Sequence, residues 1–293
     1  MDQVAATVTS PVSTGPGDIR EALAVREIQQ MPETTGRRGH DWARTGEGTT
    51  DLSTNCNWMR GPWSHIQLKC IVAQGFRYYQ NVCTSSYSFV WWDWARWEKE
   101  IDWMALNGIN MPLAFTGQEV IWQRVFLTLG LNQSEIDDFF TGPAFLAWGR
   151  MGNIHTWGGP LSSNWMKKQL FLQKKIVERM RSLGMITVLP AFAGHIPQGL
   201  LRIFPKINVT RLGGWSNFNC TYSCSYLLDP EDPLFQKIGR LFMTEIIREF
   251  GTDHIYNADT FNEMTPTSSE PAYLSAISSS IFKSMVNGIN LTY

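Results

Sequence analysis

Along the chain, apolar residues at helical spacing run to a glycine and pass straight into a short apolar segment, and this arrangement occurs three times. In the first copy, Asp93 is placed to cap "WARWEKEIDWMALNG", which sets Trp97, Ile101 and Met104 on one face. Gly108 ends that helix and "INMPLAF" follows. In the second, "WMKKQLFLQKKIVERMRSLG" aligns Leu172, Ile176, Met180 and Leu183, stops at Gly184 and leads into "ITVLPAF". The third opens with Asp232 and Pro233, aligns Phe235, Ile238, Phe242 and Ile246, and reaches Gly251 before "HIYNADTFNEM". Residues three and four apart share a helix face. An Asp cap followed by Pro is a favoured helix start, and glycine supplies the left-handed residue that closes one.

Helices alternating with short, continuously apolar strands predict βαβ units around a parallel sheet buried on both faces, an α/β fold. No glycine-rich phosphate turn is present and polar residues stand at strand ends, so the pattern favours a (β/α)8 barrel of TIM type over a doubly wound sheet. "FVWWDW" (89–94) is then the expected opening strand, giving about four β/α units. An eight-fold barrel takes roughly 250 residues, so the pattern predicts about the first half of one. Residues 1–70, rich in Ser, Thr, Gly, Pro and charge, show no periodicity and are expected to be poorly ordered; 71–293 form the incomplete barrel domain.

Composition narrows the function. The 293 residues carry a net charge of −1, which offers no field for nucleic acid or anionic lipid. No apolar run approaches the roughly 18 residues of a membrane span. The N-terminus, "MDQVAATVTSPVSTGPGDIR", lacks the charged and apolar regions of a secretory signal. Five cysteines and five histidines show no paired metal-ligand spacing, and there is no Walker loop, G-x-G-x-x-G or G-x-S-x-G. The expectation is no metal and no cofactor.

The candidate chemistry sits where "HIYNADTFNEM" ends, at Asn262 and Glu263. In barrel enzymes, groups at the C-terminal ends of strands face the active site. A carboxylic acid in an aromatic-lined pocket is kept protonated by desolvation and can act as a general acid. A glutamate there also serves to cap the next helix or to pair with an arginine, and spacing alone does not separate these roles. The thirteen Trp, five of them between Trp91 and Trp103, suit either stacking on sugar rings or core packing.

The stretch "RYYQNVCTSSYSFVWWDWARWEKEIDWMALNGIN" closely resembles the α-N-acetylglucosaminidases of glycoside hydrolase family 89. The likeness continues through "GQEVIWQRV", "FFTGPAFLAWGRMGN", "VLPAFAGHIP", "FNCTYSCSYLL", "EFGTDHIYNADTFNEM" and "SSEPAYL", covering residues 76–285. Residues 1–70 and the final "VNGINLTY" do not follow it. The resemblance implies a barrel enzyme that removes terminal α-linked N-acetylglucosamine from heparan sulfate with retention. Glu263 would be the acid/base, Asn262 a contact to the substituent beside the anomeric centre, and the nucleophile a glutamate beyond this segment.

The same resemblance makes Asn81, Cys83, Tyr87, Trp148 and Trp215 substrate-binding residues, against the plainer reading of a buried thiol and core aromatics. Glu119, the other carboxylate weighed as a catalytic partner, is more simply the opening of a helix. A lysosomal location, although no signal segment is visible, would make Asn132, Asn208, Asn219 and Asn290 glycosylation sites and allow a Cys220–Cys224 disulfide. The alternative is a catalytically inactive fragment, at most a glycan-binding module.

Overall fold

The computed structural model describes residues 5–9, 75–266 and 268–289. Its strands are β1 (Ala5–Thr9), β2 (Tyr78–Tyr79), β3 (Met111–Pro112), β4 (Val188–Pro190), β5 (His195–Ile196), β6 (Val209–Arg211), β7 (Tyr226–Leu228) and β8 (Ile255–Asp259). Between and after them lie helices α1 (Val82–Ser86), α2 (Trp94–Leu106), α3 (Gln118–Leu129), α4 (Gln133–Asp137), α5 (Leu146–Arg150), α6 (Ser163–Ser182), α7 (Gly199–Ile203), α8 (Pro233–Phe250) and α9 (Pro271–Ile289). Of the N-terminal segment expected to be poorly ordered, Ala5–Thr9 forms β1, and residues 1–4 and 10–74 lie outside the described residues.

The helices start and stop for the reasons visible in the sequence. Asp93 accepts the Arg96 backbone N–H at 2.9 Å and Asp232 accepts that of Leu234 at 2.8 Å, satisfying donors that the first turn leaves orphaned. Ser162 caps α6 in the same way through Trp165. Each long helix then turns its apolar stripe inward: Trp97, Ile101 and Met104 from α2, Ile176 and Met180 from α6, and Phe235, Ile238, Phe242 and Ile246 from α8 are buried.

These stripes cover one face of a parallel sheet ordered β2, β3, β4, β8. Tyr78 pairs with Met111, a bridge joins Leu113 to Val188, and Val188 and Leu189 stand opposite Ile255 and Tyr256. Because side chains alternate along a strand, Leu189, Tyr256 and Ala258 meet the helices, whereas Leu113, Val188 and Ile255 cluster with Phe115 on the other face. Both faces are buried, which is why these strands read as unbroken apolar runs. Burying one such Leu, Ile or Phe side chain contributes about 1.5–3 kcal/mol. The order corresponds to the first half of a (β/α)8 barrel, and the described strands do not close one.

Two features differ from the sequence reading. "FVWWDW" is not a strand: Ser88–Trp91 is a turn of 3₁₀ helix, and the opening strand is the earlier Tyr78–Tyr79. Phe89 stacks on Trp92 at 3.5 Å and meets Trp97 edge-on at 5.3 Å, so these aromatics bury themselves on α2 instead of joining a ladder. Secondly, a small antiparallel sheet, β5–β7–β6, is inserted between β4 and α8. On the far side of β8, β1 pairs antiparallel, Ala5 opposite Asp259 and Thr9 opposite Ile255.

No helix of the described residues is long and apolar enough to cross a membrane, and no cluster of His, Cys, Asp and Glu among them is arranged to hold a metal ion.

Candidate active site

Strand β8 ends at Asp259, earlier than the sequence reading placed it, so Asn262 and Glu263 project from the turn beyond. Three contacts fix that turn. Asp259 accepts both the backbone N–H and the side-chain amide of Asn262, each at 3.0 Å. The Met264 N–H closes onto the Phe261 carbonyl. From β5, the Nε2 atom of His195 lies 3.1 Å from the Thr260 carbonyl oxygen. A carbonyl only accepts, so Nε2 carries the proton.

His195 is buried, and burial pulls its pKa from 6.5 down to about 4, against the opposing effect of the Thr260 hydrogen bond. It is therefore a neutral strut. Its ring presses on Gly152, where a Cβ atom would stand 2.3 Å from the imidazole, so only glycine admits this approach.

The aromatic wall is a chain of contacts drawn from separate loops. Trp215, in the insertion after β5, donates its indole N–H to Oε2 of Glu263 at 2.7 Å. Its ring centroid is 6.0 Å from that of Trp148 on α5, which in turn lies 5.5 Å from Tyr87 at the end of α1. Cys83 is half-buried beside this wall, its Sγ 3.4 Å from Met151 Sδ. Burial raises the Cys83 pKa and the Glu263 charge raises it further, so the sulfur stays a neutral thiol. Asn81 caps α1, its side-chain oxygen accepting from the Thr84 backbone N–H and hydroxyl at 2.8 Å each.

Asn81, Cys83, Tyr87, Trp148, Trp215, Asn262 and Glu263 thus gather beyond the C-terminal ends of β2, β3, β4 and β8, although they span 182 positions of sequence (263 − 81). Glu263 is exposed at this opening and is not enclosed by the wall. An exposed carboxylate flanked by aromatic faces and held by an indole donor can offer a polar group beside a flat apolar surface, the combination that suits a sugar ring.

A buried ion pair holds the wall from behind. Arg150 binds Glu119 in fork fashion, Nε to Oε1 at 2.7 Å and Nη2 to Oε2 at 3.1 Å, and reaches the Ser86 hydroxyl at 3.1 Å through Nη1. Their side chains are 6% and 3% exposed. Glu119 does open α3, as its position suggested, but its carboxylate is committed to Arg150. The pair ties α3 to α5, which carries Trp148, and to α1, which precedes Tyr87.

Cys220 and Cys224 are disulfide-bonded in the loop after Trp215, their Cα atoms 5.0 Å apart. Of the sequon residues, Asn132, Asn208 and Asn219 are exposed, and Asn290 lies outside the described residues. Asp259, His195 and Arg150 were not singled out by sequence reasoning. Asp259 carried a usable signal, since it stands at the end of the same strand. Arg150 and His195 touch their partners only through long-range packing.

The comparisons with known proteins bear on the family and the fold. A family described as "Alpha-N-acetylglucosaminidase (NAGLU) tim-barrel domain" matches residues 77–290. Its reach includes 286–290, which the sequence reading had placed outside the resemblance. Human α-N-acetylglucosaminidase is 68% identical over 210 residues, covering 72% of this chain and 28% of the human protein.

Among solved structures, a family 89 glycoside hydrolase of Clostridium perfringens superimposes with a TM-score of 0.67 at 30% identity. That match covers 73% of this chain and 24% of the bacterial one. It carries two Glu→Gln substitutions and holds its substrate, GlcNAc-α-1,4-galactose. Another structure from that bacterium, bound to 2-acetamido-1,2-dideoxynojirimycin, gives a TM-score of 0.65 at 30% identity, covering 72% and 24%. The chain therefore spans about a quarter of the length of these relatives, and with most of its own length matched it belongs to the α-N-acetylglucosaminidase TIM-barrel family.

Proposed function

We propose that this segment supplies the acid-bearing half of a glycosidase site that removes terminal α-linked N-acetylglucosamine from heparan sulfate with retention of configuration. The observation that carries the reading is Glu263 in the turn beyond β8, held by the Trp215 indole beside the Trp148–Tyr87 wall. Glu263 protonates the leaving oxygen and later, as a carboxylate, activates water. Trp148, Trp215 and Tyr87 receive the sugar, with Asn81 and Cys83 at its edge and Asn262 at the substituent beside the anomeric carbon. The two glutamates replaced in the substrate-bound bacterial relative support a two-carboxylate mechanism.

Retention takes a second carboxyl group about 5–5.5 Å from the first. Asp259 and Glu119 are both engaged, one by Asn262 and the other by Arg150. The nucleophile is thus assigned to family sequence beyond this segment, and the 293-residue chain alone is catalytically silent. The Cys220–Cys224 disulfide and the exposed asparagines of three sequons support residence in an oxidising, glycosylating route that ends in the lysosome.

The test compares the 293-residue chain with a form extended by the family's remaining catalytic sequence, on an aryl α-N-acetylglucosaminide, with the first-formed anomer followed by proton NMR. Turnover in the extended form alone, releasing the α-anomer, is expected. Robust turnover by the shorter chain contradicts the assignment of the nucleophile, and first release of the β-anomer contradicts retention.

A further inference from the structure

Asp259 commits its carboxylate to one neighbour. Oδ1 takes the Asn262 backbone N–H and Oδ2 takes its side-chain Nδ2, both at 3.0 Å. These bonds span a turn in which Asn262 has φ +37°, in the left-handed region that few residues other than glycine enter. Asparagine is among the side chains that tolerate it, and here a carboxylate clasps it from the preceding strand. The clasp also decides which way the amide faces. An ionised carboxylate accepts and cannot donate, so Nδ2 must be the atom turned to Asp259, which leaves the carbonyl oxygen Oδ1 as the acceptor of the Asn262 side chain.

We propose that Asp259 is a positioning residue. It fixes Asn262 so that the site offers an acceptor, and thereby selects substrates with a donor on the carbon next to the anomeric centre, as the N–H of an acetamido group provides. This rests on the reading of Glu263 as the acid and Asn262 as a sugar contact. Three details fit the role. Asp259 ends β8, whose backbone is locked into the sheet by pairing with β4 at Val188–Pro190, so the clasp has a rigid base. The next residue, Thr260, is held from β5 by His195, so the turn is fixed on both sides of its origin. Burial is the stronger influence and raises the Asp259 pKa above its ordinary value, and the two Asn262 bonds oppose it, so the clasp draws the carboxyl back toward its charged, accepting form.

The test is a double-mutant cycle in the extended form, with Asn262→Ala, Asp259→Asn and the double variant assayed on an aryl α-N-acetylglucosaminide and on the matching aryl 2-deoxy-α-glucoside, which has no donor at that carbon. Losing the orientation of one substrate hydrogen bond is worth about 10- to 100-fold in kcat/KM. Asp259→Asn is expected to lose that much on the acetamido substrate, to change the 2-deoxy substrate by no more than about twofold, and to add nothing to Asn262→Ala.

Equal losses on both substrates, or losses that multiply in the double variant, overturn the proposal by showing that Asp259 acts through general stability. If Asn262→Ala is itself silent while Glu263→Gln is not, Asn262 is no sugar contact and the proposal falls with it. If Glu263→Gln is also silent, the reading beneath has failed. Should Asp259→Asn not fold, Asp259→Ser keeps an acceptor at the strand end, and the same substrate comparison decides.

Discussion

Replacing Glu263 with glutamine is expected to lower kcat/KM of the extended form by about 10²–10⁴-fold on substrates with poor leaving groups, the usual contribution of general acid catalysis. The loss shrinks as the leaving group improves, because a dinitrophenolate departs without a proton. The side chain keeps its length, and its amide oxygen still accepts the Trp215 indole N–H that Oε2 now accepts at 2.7 Å, so the turn beyond β8 is retained. A plot of log(kcat/KM) against leaving-group pKa is therefore steeper in the variant than in the parent. Equal loss across the series instead points to a displaced binding site, and no loss removes Glu263 from the mechanism.

The largest effect on stability is expected from Arg150→Met. Arg150 and Glu119 are buried and joined by two hydrogen bonds, so removing the guanidinium strands a carboxylate out of water. Breaking such a pair from one side costs about 3–5 kcal/mol, whereas replacing both partners with apolar groups of similar volume is often close to neutral. Urea unfolding of the extended form should show the single variant destabilised by that amount and Arg150→Met/Glu119→Leu recovering most of it. Arg150 also reaches Ser86, one residue before Tyr87, and sits two residues after Trp148, so the single variant is expected to loosen the aromatic wall as well. A change below about 0.5 kcal/mol in Arg150→Met contradicts the account of the pair.

What was legible in the sequence follows from how local each signal is. The long helices α2, α6 and α8 announce themselves through spacing and caps, because Asp93, Asp232 and the glycines 108, 184 and 251 act on backbone groups within one turn. The apolar runs gave β3, β4 and β8 because a parallel sheet covered on both faces leaves no polar alternation. Tyr78–Tyr79 has only two residues and carries no periodicity, whereas "FVWWDW" looks extended until its aromatics are seen stacking on one another and on α2.

At the site, Glu263 and Asn262 were readable as polar residues ending an apolar strand, and the family resemblance supplied Asn81, Cys83, Tyr87, Trp148 and Trp215. What joins them was not readable. Glu119 and Arg150 are 31 positions apart, and His195 and Thr260 are 65 apart, so their pairing is fixed only when the strands assemble. Asp259 is the exception, three residues from Asn262, where a carboxylate at a strand end facing an amide was a local clue.

We place the cleavage of a terminal α-linked N-acetylglucosamine in the turn beyond β8. This location is tested most directly by a crystal structure of the extended form carrying Glu263→Gln, soaked with an α-linked N-acetylglucosaminyl disaccharide. The glycosidic oxygen is expected within hydrogen-bond distance, about 3 Å, of the side chain at position 263, with the sugar against Trp148 and Trp215 and the acetamido N–H on the Asn262 carbonyl oxygen. A disaccharide bound elsewhere, or one whose glycosidic oxygen lies far from position 263, contradicts it.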